Sequence, residues 1–342
     1  MSQDNPWKSR LLTLLKVAIS LGLIAYIFSQ PTIRNADWDA ILAEVRLWPW
    51  VLSLTIYFVA IGFNVLKWQH LLRTLGVEVS FMGLYRHNLV GLFFANLPLS
   101  MISADIARGW DLARQTEGRA AEVAVSVFVD RLVGLAAFLV AAVMGLAFAV
   151  TTLGRADLTW LFTTMALVLL AVAIGFAVLM SQRLRRLVER LVGWGPLKRF
   201  LPLYQRLSDS VQGYRSHGSA LLVAFGLGMC TVLATCIVNY LAAMTVGADV
   251  PFVWVLILTP LTPFALYIPS IASGLGVNQA VFVALYHNLT NLLTVAEALA
   301  MSLVMQVNIY AVSLPGAVLW WRKRQAPSRE SPAADRSSTL PS

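Results

Sequence analysis

Apolar side chains run along this chain in long unbroken blocks. Leu11 to Ser29, Trp48 to Leu66, Val123 to Val150, Leu158 to Met180, Ala220 to Val246 and Ala296 to Trp321 are each near or above the roughly 20 residues a helix needs to cross a bilayer core. They do not alternate with polar residues, so they predict helices and not barrel strands. Trp48 and Trp50 frame the second block at one end and Lys67-Trp68 at the other, residue types that settle at membrane interfaces. The last block closes on Trp320-Trp321-Arg322-Lys323-Arg324, a strong interfacial stop. Lys8 and Arg10 precede the first block as they would in a signal peptide. That block is longer than a typical signal core, and no small-x-small cleavage site follows at Gln30-Pro31-Thr32. A retained transmembrane helix is expected. The tail from Gln325, rich in Pro, Ser and Ala, is expected to be disordered and cytoplasmic, leaving 1–324 as the transmembrane domain.

Two apolar segments break this pattern. Phe81–Ala107 contains Arg86, His87, Asn88, Asn96 and Pro98, and Phe252–His287 is interrupted by Pro260, Pro263, Pro269 and Ser273-Gly274-Leu275-Gly276. Such irregular backbone is tolerated at membrane depth only where protein or a watery cavity satisfies it. Basic residues orient the chain. Loop 181–219 carries eight Arg and Lys against Glu189 and Asp209 and reads as cytoplasmic, as do both termini, whereas 30–47 reads as outside. Six crossings satisfy these assignments if each irregular segment enters and leaves on one side, the first from the cytoplasm and the second from outside. The expected fold is an all-α polytopic membrane protein: about six full transmembrane helices plus two re-entrant or broken hairpins, in the manner of an inverted repeat. Parity alone leaves open whether each broken segment is re-entrant or spans twice.

Composition supports this class. Of 342 residues 58% are hydrophobic and only 13% charged, against about 25% charged in a soluble domain. The net charge of +9 is explained by basic cytoplasmic loops, and nucleic acid is not an expected partner. Cys230 and Cys236 lie on different faces of one helix, too far apart to bridge. The four histidines show no metal-ligand spacing, and neither a cofactor nor a metal is expected. The Arg-rich start of loop 181–219 reads as an amphipathic helix on anionic headgroups.

Few residues are placed to carry chemistry. Asp130 and Arg131 sit inside the third block, where each charge costs roughly 2.5–3.5 kcal/mol. As neighbours they leave the helix about 100° apart, so each needs a partner elsewhere, on a neighbouring helix or on a substrate. Asp105 and Arg108 share a helical face, and Arg108 offers a planar fork to a lipid phosphate. Asn96 precedes the break at Pro98. Gly274 and Gly276 permit close backbone approach, and a helix starting near Val277 would present N–H groups to an anion beside Asn278 and Gln279. The bland alternative for that turn is tight helix packing.

Asn96-Leu97-Pro98 with Ala104-Asp105-Ile106-Ala107-Arg108, then Ser126 to Leu135 containing Asp130-Arg131-Leu132-Val133-Gly134-Leu135, then Pro269 with Gly274-Leu275-Gly276-Val277, resembles the lysylphosphatidylglycerol synthase/flippase transmembrane family. The likeness runs from about Lys8 to Arg324, and Asp-Arg-Leu-x-Gly-Leu is its most specific element. It implies two re-entrant segments facing a central cavity. Two departures stand out. Ser103-Ala104 replaces the usual Gly-Gly before Asp105, and Asn278-Gln279 replaces the usual Arg-Glu, so the headgroup or the ion coupling is expected to differ. Synthase members add a soluble aminoacyl-transfer domain, for which this chain leaves no room.

The expectation is therefore a flippase-type transporter of an anionic phospholipid or polyprenyl-linked lipid in a bacterial inner membrane. Substrate would bind Arg108, Asp105, Asp130, Arg131, Asn96, Gly274, Gly276, Asn278 and Gln279. No catalytic residue is assigned. The alternative is a membrane-embedded lipid-modifying transferase or its non-catalytic partner subunit. Membrane lipids are the expected ligands, and a separately encoded lipid-modifying enzyme and a second copy in a homodimer are the protein partners to test.

Overall fold

A computed structural model describes residues 39, 43–96, 108–114, 116, 118–180, 212–214, 217–265 and 276–325. Among them the regular secondary structure is all helical, with no strand. Its helices are α1 (Leu47–Thr74), α2 (Phe81–Ala95), α3 (Ala120–Thr151), α4 (Thr159–Met180), α5 (Gly218–Thr245), α6 (Phe252–Leu258), α7 (Thr262–Ala265), α8 (Val277–Phe282) and α9 (Val295–Gln325). Five are long and apolar enough to cross a membrane: α1, α3, α4 together with the turn before it, α5 and α9. They match five of the six apolar blocks. The first block, Leu11 to Ser29, lies outside the described residues, as do most of the basic loop 181–219 and nearly all of the tail.

α1 and α5 lie antiparallel. The Arg46 N–H at the start of α1 donates to the Thr245 carbonyl at the end of α5 (2.9 Å). The Tyr214 hydroxyl, just ahead of α5, donates to the Leu71 carbonyl near the end of α1 (2.9 Å). Each helix ends in the same turn. After α1 the Gly76 and Val77 N–H groups donate to the Arg73 and Leu72 carbonyls; after α5 those of Gly247 and Ala248 donate to the Met244 and Ala243 carbonyls. Both glycines take positive φ, +75° and +71°, which an L side chain rarely adopts. The two stretches align without a gap, Thr74-Leu75-Gly76-Val77-Glu78-Val79-Ser80-Phe81 against Thr245-Val246-Gly247-Ala248-Asp249-Val250-Pro251-Phe252, the second 171 positions after the first and identical at Thr, Gly, Val and Phe. One motif at opposite ends of an antiparallel pair is the arrangement an inverted repeat would give.

After each motif the chain dips into the bundle and returns. α2 starts at the Gly76 end, capped by the Ser80 hydroxyl (Gly83 N–H, 3.1 Å). Arg119, at the foot of α3, returns to that end and donates to the Leu75 carbonyl (3.4 Å). His87 on α2 meets Asp111 of the helical stretch 108–114 at 2.8 Å, tying the two limbs together. The second segment is α6, a 3-10 turn at Thr259–Leu261, α7, α8 and a π-helical stretch Val283–Leu289. Arg155, at the far end of α3, holds both its ends. Its guanidinium lies 5.3 Å from the Trp254 ring and donates to the Leu289 carbonyl (2.9 Å). Each broken segment therefore begins and ends at one end of the bundle, and the two do so at opposite ends.

Their inner parts meet α9 close to its middle. Asn96, capping α2, donates to the Ser313 hydroxyl (2.7 Å), and Asn278, at the start of α8, to the Gln306 amide oxygen (3.4 Å). Gln306 and Ser313 are about 10 Å apart along the helix. α2 lies so close to α9 that a Cβ on Gly316 would run into the Leu89 carbonyl. Gly316→Ala should destabilise the protein by about 1–3 kcal/mol, the usual cost of overpacking. Gly62→Ala, where a Cβ meets nothing within 4 Å, should not. Thermal unfolding of the two variants in one detergent makes the comparison.

Candidate functional site

Asp130 finds its partners across the bundle. It lies one face away from Arg131 on α3 and is 2% exposed. Its Oδ1 is 3.2 Å from Lys67 Nζ on α1, and its Oδ2 accepts from Arg108 Nη2 at 3.0 Å. Lys67 also donates to the Asp130 carbonyl (3.2 Å). Trp68 supports the arrangement from below: its ring lies 4.7 Å beneath the Arg108 guanidinium, and its Nε1 donates to Ser126 Oγ (3.1 Å). Lys67 reaches the carboxylate through a slot between helices. A Cβ on Gly134 would stand 3.0 Å from its Nζ, and one on Gly228 would stand 3.9 Å from its Cδ and 3.1 Å from Ala137 Cβ.

This placement corrects one expectation. Lys67-Trp68 reads as an interfacial frame, yet both side chains are buried, at 3% and 0% exposure. The apolar block stops at Leu66, whereas α1 continues to Thr74. The two extra turns carry the lysine and the tryptophan past neighbouring helices instead of into headgroups.

Beside the cluster lies a cavity of about 210 Å³. Arg108 and Arg131 contribute to its wall, with Asn64 from α1, Asn88 from α2, and Thr231 and Thr235 from α5. Thr231 stands at the centre of α5, so the cavity sits near mid-depth. Among the described residues, Lys67, Arg108 and Arg131 all lie close enough to act electrostatically on the Asp130 carboxylate.

The remaining candidates fall elsewhere. Asp105 and Gly274 lie outside the described residues; the carboxylate seen on Arg108 is that of Asp130, 22 positions along the chain. Asn96 is bonded to α9, beside the cavity-lining Ala95. Gly276 has φ +85°, and its N–H donates to the Gln279 side-chain oxygen at 2.6 Å, so that donor is used within the turn. Asn278 and Gln279 do not line the cavity. At the 171-residue offset of the repeat, Arg108 falls on Gln279. The first hairpin thus has a charge where the second has a neutral amide. Among the described residues no group of His, Cys, Asp and Glu is placed to hold a metal.

Lys67, Trp68, Asn64, Thr231 and Thr235 were not legible as site residues. The available signals were Asn64 and Lys67 three apart on one face of α1, and Thr231 and Thr235 four apart on α5.

The fold and site define a polytopic helical membrane protein, with a cavity beside its first broken segment lined by Arg108 and Arg131. The family model for the lysylphosphatidylglycerol synthase TM region matches residues 13–316, and the chain belongs to that family. Membership implies a function related to membrane lipids. No curated protein and no solved structure matches the chain.

Proposed function

We propose that this protein is a flippase-type transporter that moves an anionic phospholipid or polyprenyl-linked lipid across a bacterial inner membrane. The observation that carries the reading is the pair Arg108 and Arg131 on the wall of a mid-depth cavity, beside a re-entrant hairpin. Arg108 and Arg131 receive the phosphate. Asp130 holds Arg108 in place and offsets part of the positive charge, while Lys67 offsets Asp130. The lipid tails stay in the surrounding bilayer, and only the headgroup enters the bundle. The hairpins, approaching from opposite ends, are the elements suited to open the cavity to one leaflet at a time. The basic loop 181–219 leads into the Gly76 end of the bundle, which supports a cytoplasmic position for that end.

Reconstituted protein, a labelled anionic lipid and a quencher confined to one leaflet test this reading. The label should change leaflet at least about tenfold faster than in empty liposomes, a barrier lower by about 1.4 kcal/mol. Folded protein that leaves every anionic lipid at the protein-free rate would sink the proposal. Formation of a modified lipid from an activated donor would instead favour the transferase alternative.

A further inference from the structure

Away from the arginines, a second set of polar side chains is buried where α1, α5 and α9 pack on one another. Ser53 on α1, Asn239 on α5 and Asn308 on α9 are 0%, 2% and 0% exposed. Asn308 Nδ2 donates to Ser53 Oγ (3.0 Å), which joins α9 to α1. Asn239 stands at the same level. The antiparallel pair is anchored by the Arg46–Thr245 bond; Ser53 is seven residues along from Arg46, and Val238, beside Asn239, is seven back from Thr245. The faces agree as well. Tyr57 and Thr235 both line the cavity, and Ser53 and Asn239 each lie one turn beyond them toward the Gly247 end of the bundle.

The hydrogen bonds fix which way each amide points. The Ser53 hydroxyl gives its proton to the Trp50 carbonyl (2.7 Å), so toward Asn308 it can only accept, and Asn308 must present its NH2. Asn239 Nδ2 donates to the Thr235 carbonyl (3.1 Å), which a flipped amide would meet oxygen to oxygen. Both amide oxygens are thereby turned away from these bonds. Each is buried without a hydrogen-bond donor among the described residues. Buried polar groups in proteins are nearly always hydrogen-bonded, and an orphaned one costs its desolvation in full. Two orphaned acceptors at one level of an apolar bundle call for a positive partner. A hydroxyl and two amides are hard but neutral oxygen ligands. That set suits a single positive charge better than a divalent ion, which draws on carboxylates.

We propose that Ser53 Oγ and the Asn239 and Asn308 amide oxygens form a site for a desolvated alkali cation such as sodium, one helical turn from the cavity. The site uses neither Arg108 nor Arg131 and does not depend on the transporter reading. It adjoins the cavity through Thr235, which lines that wall and whose carbonyl holds the Asn239 amide.

The test follows thermal unfolding of the full chain in one detergent as sodium chloride replaces choline chloride at constant ionic strength. Choline is too large to enter between three packed helices. The unfolding temperature should rise by at least about 2 °C on full replacement, since a ligand bound only to the folded state stabilises it. Asn239→Leu should abolish that rise. Asn308→Asp keeps the shape and adds a negative charge at the site, so half-saturation should need at least about tenfold less sodium. A buried water would produce neither effect. A parent chain indifferent to the exchange overturns the proposal and leaves water as the partner of the two amides. So does a sodium effect that survives Asn239→Leu, or one that Asn308→Asp leaves at the parental half-saturation. If Asn239→Leu does not fold, the titrations of the parent and of Asn308→Asp decide. None of these outcomes bears on the leaflet assay, so the two readings stand or fall separately.

Discussion

Asp130→Asn should cost about 3–5 kcal/mol of stability, the range for breaking a buried ion pair from one side. The substitution keeps the shape and removes the charge that compensates Lys67 and Arg108, which are 3% and 4% exposed. Two cations would then share a site with no carboxylate among the described residues, held by the same helices. Lys67→Met should behave differently. Asp130 would keep Arg108 at 3.0 Å, and a thioether chain of similar length would occupy the slot beside Gly134 and Gly228. Replacing a buried ionic group by a well-packed apolar one is often neutral. Lys67→Met added to Asp130→Asn should therefore recover part of the loss, with an interaction energy of about 0.5–3 kcal/mol in the double-mutant cycle. The readout is thermal unfolding of the three variants in one detergent. An Asp130→Asn protein as stable as its parent, or strictly additive effects, would show that the cluster is not an electrostatic unit.

The cluster also shows what a linear reading recovers and what it loses. Asp130 was legible as a buried charge in need of a partner, because an ionised carboxylate inside a long apolar block is too costly to leave uncompensated. Its partners were not legible, because they come from α1 and from the returning limb of the first hairpin. Lys67 was misplaced for a definite reason. Hydropathy marks where a block stops being apolar, and a lysine followed by a tryptophan at that point looks the same whether it meets headgroups or enters a neighbouring helix pair. Gln69 shows the same effect: it is polar and past the block, yet 5% exposed and bonded to the Val79 carbonyl at 2.8 Å. Spacing set Asp105 beside Arg108, a pairing that lies outside the described residues; the second carboxylate on that guanidinium, Asp130, arrives from another helix.

Topology was easier to read than contacts. The helix expected to begin near Val277 does begin there, and the two irregular segments start and finish at opposite ends of the bundle. The repeat was present in the sequence but weak, with identities only at Thr, Gly, Val and Phe across eight positions. What gives it weight is the turn itself, the same pair of hydrogen bonds closed by a positive-φ glycine at each end of the bundle. The repeat also explains the asymmetric site. At the 171-residue offset Arg108 of the first segment corresponds to Gln279 of the second, a charge against a neutral amide.

That division leads to a test separating binding from architecture. Arg131 is exposed at the cavity wall, whereas Arg108 is buried against Asp130 and Trp68. Arg131→Gln should therefore unfold within about 0.5 kcal/mol of the parent, as exposed substitutions usually do. Its transport rate should fall at least about tenfold, because one of the two phosphate-binding forks is gone. Arg108→Gln should lose transport and stability together, since it also strips a partner from Asp130. Lysine at position 131 should restore the charge but only part of the rate, because an ammonium cannot grip a phosphate with two parallel bonds. Initial rates in the leaflet assay, set beside unfolding temperatures of the same preparations, give the comparison. If Arg131→Gln transports at the parental rate, the two arginines do not hold the headgroup together, and the cationic cavity becomes a feature of the helix packing alone.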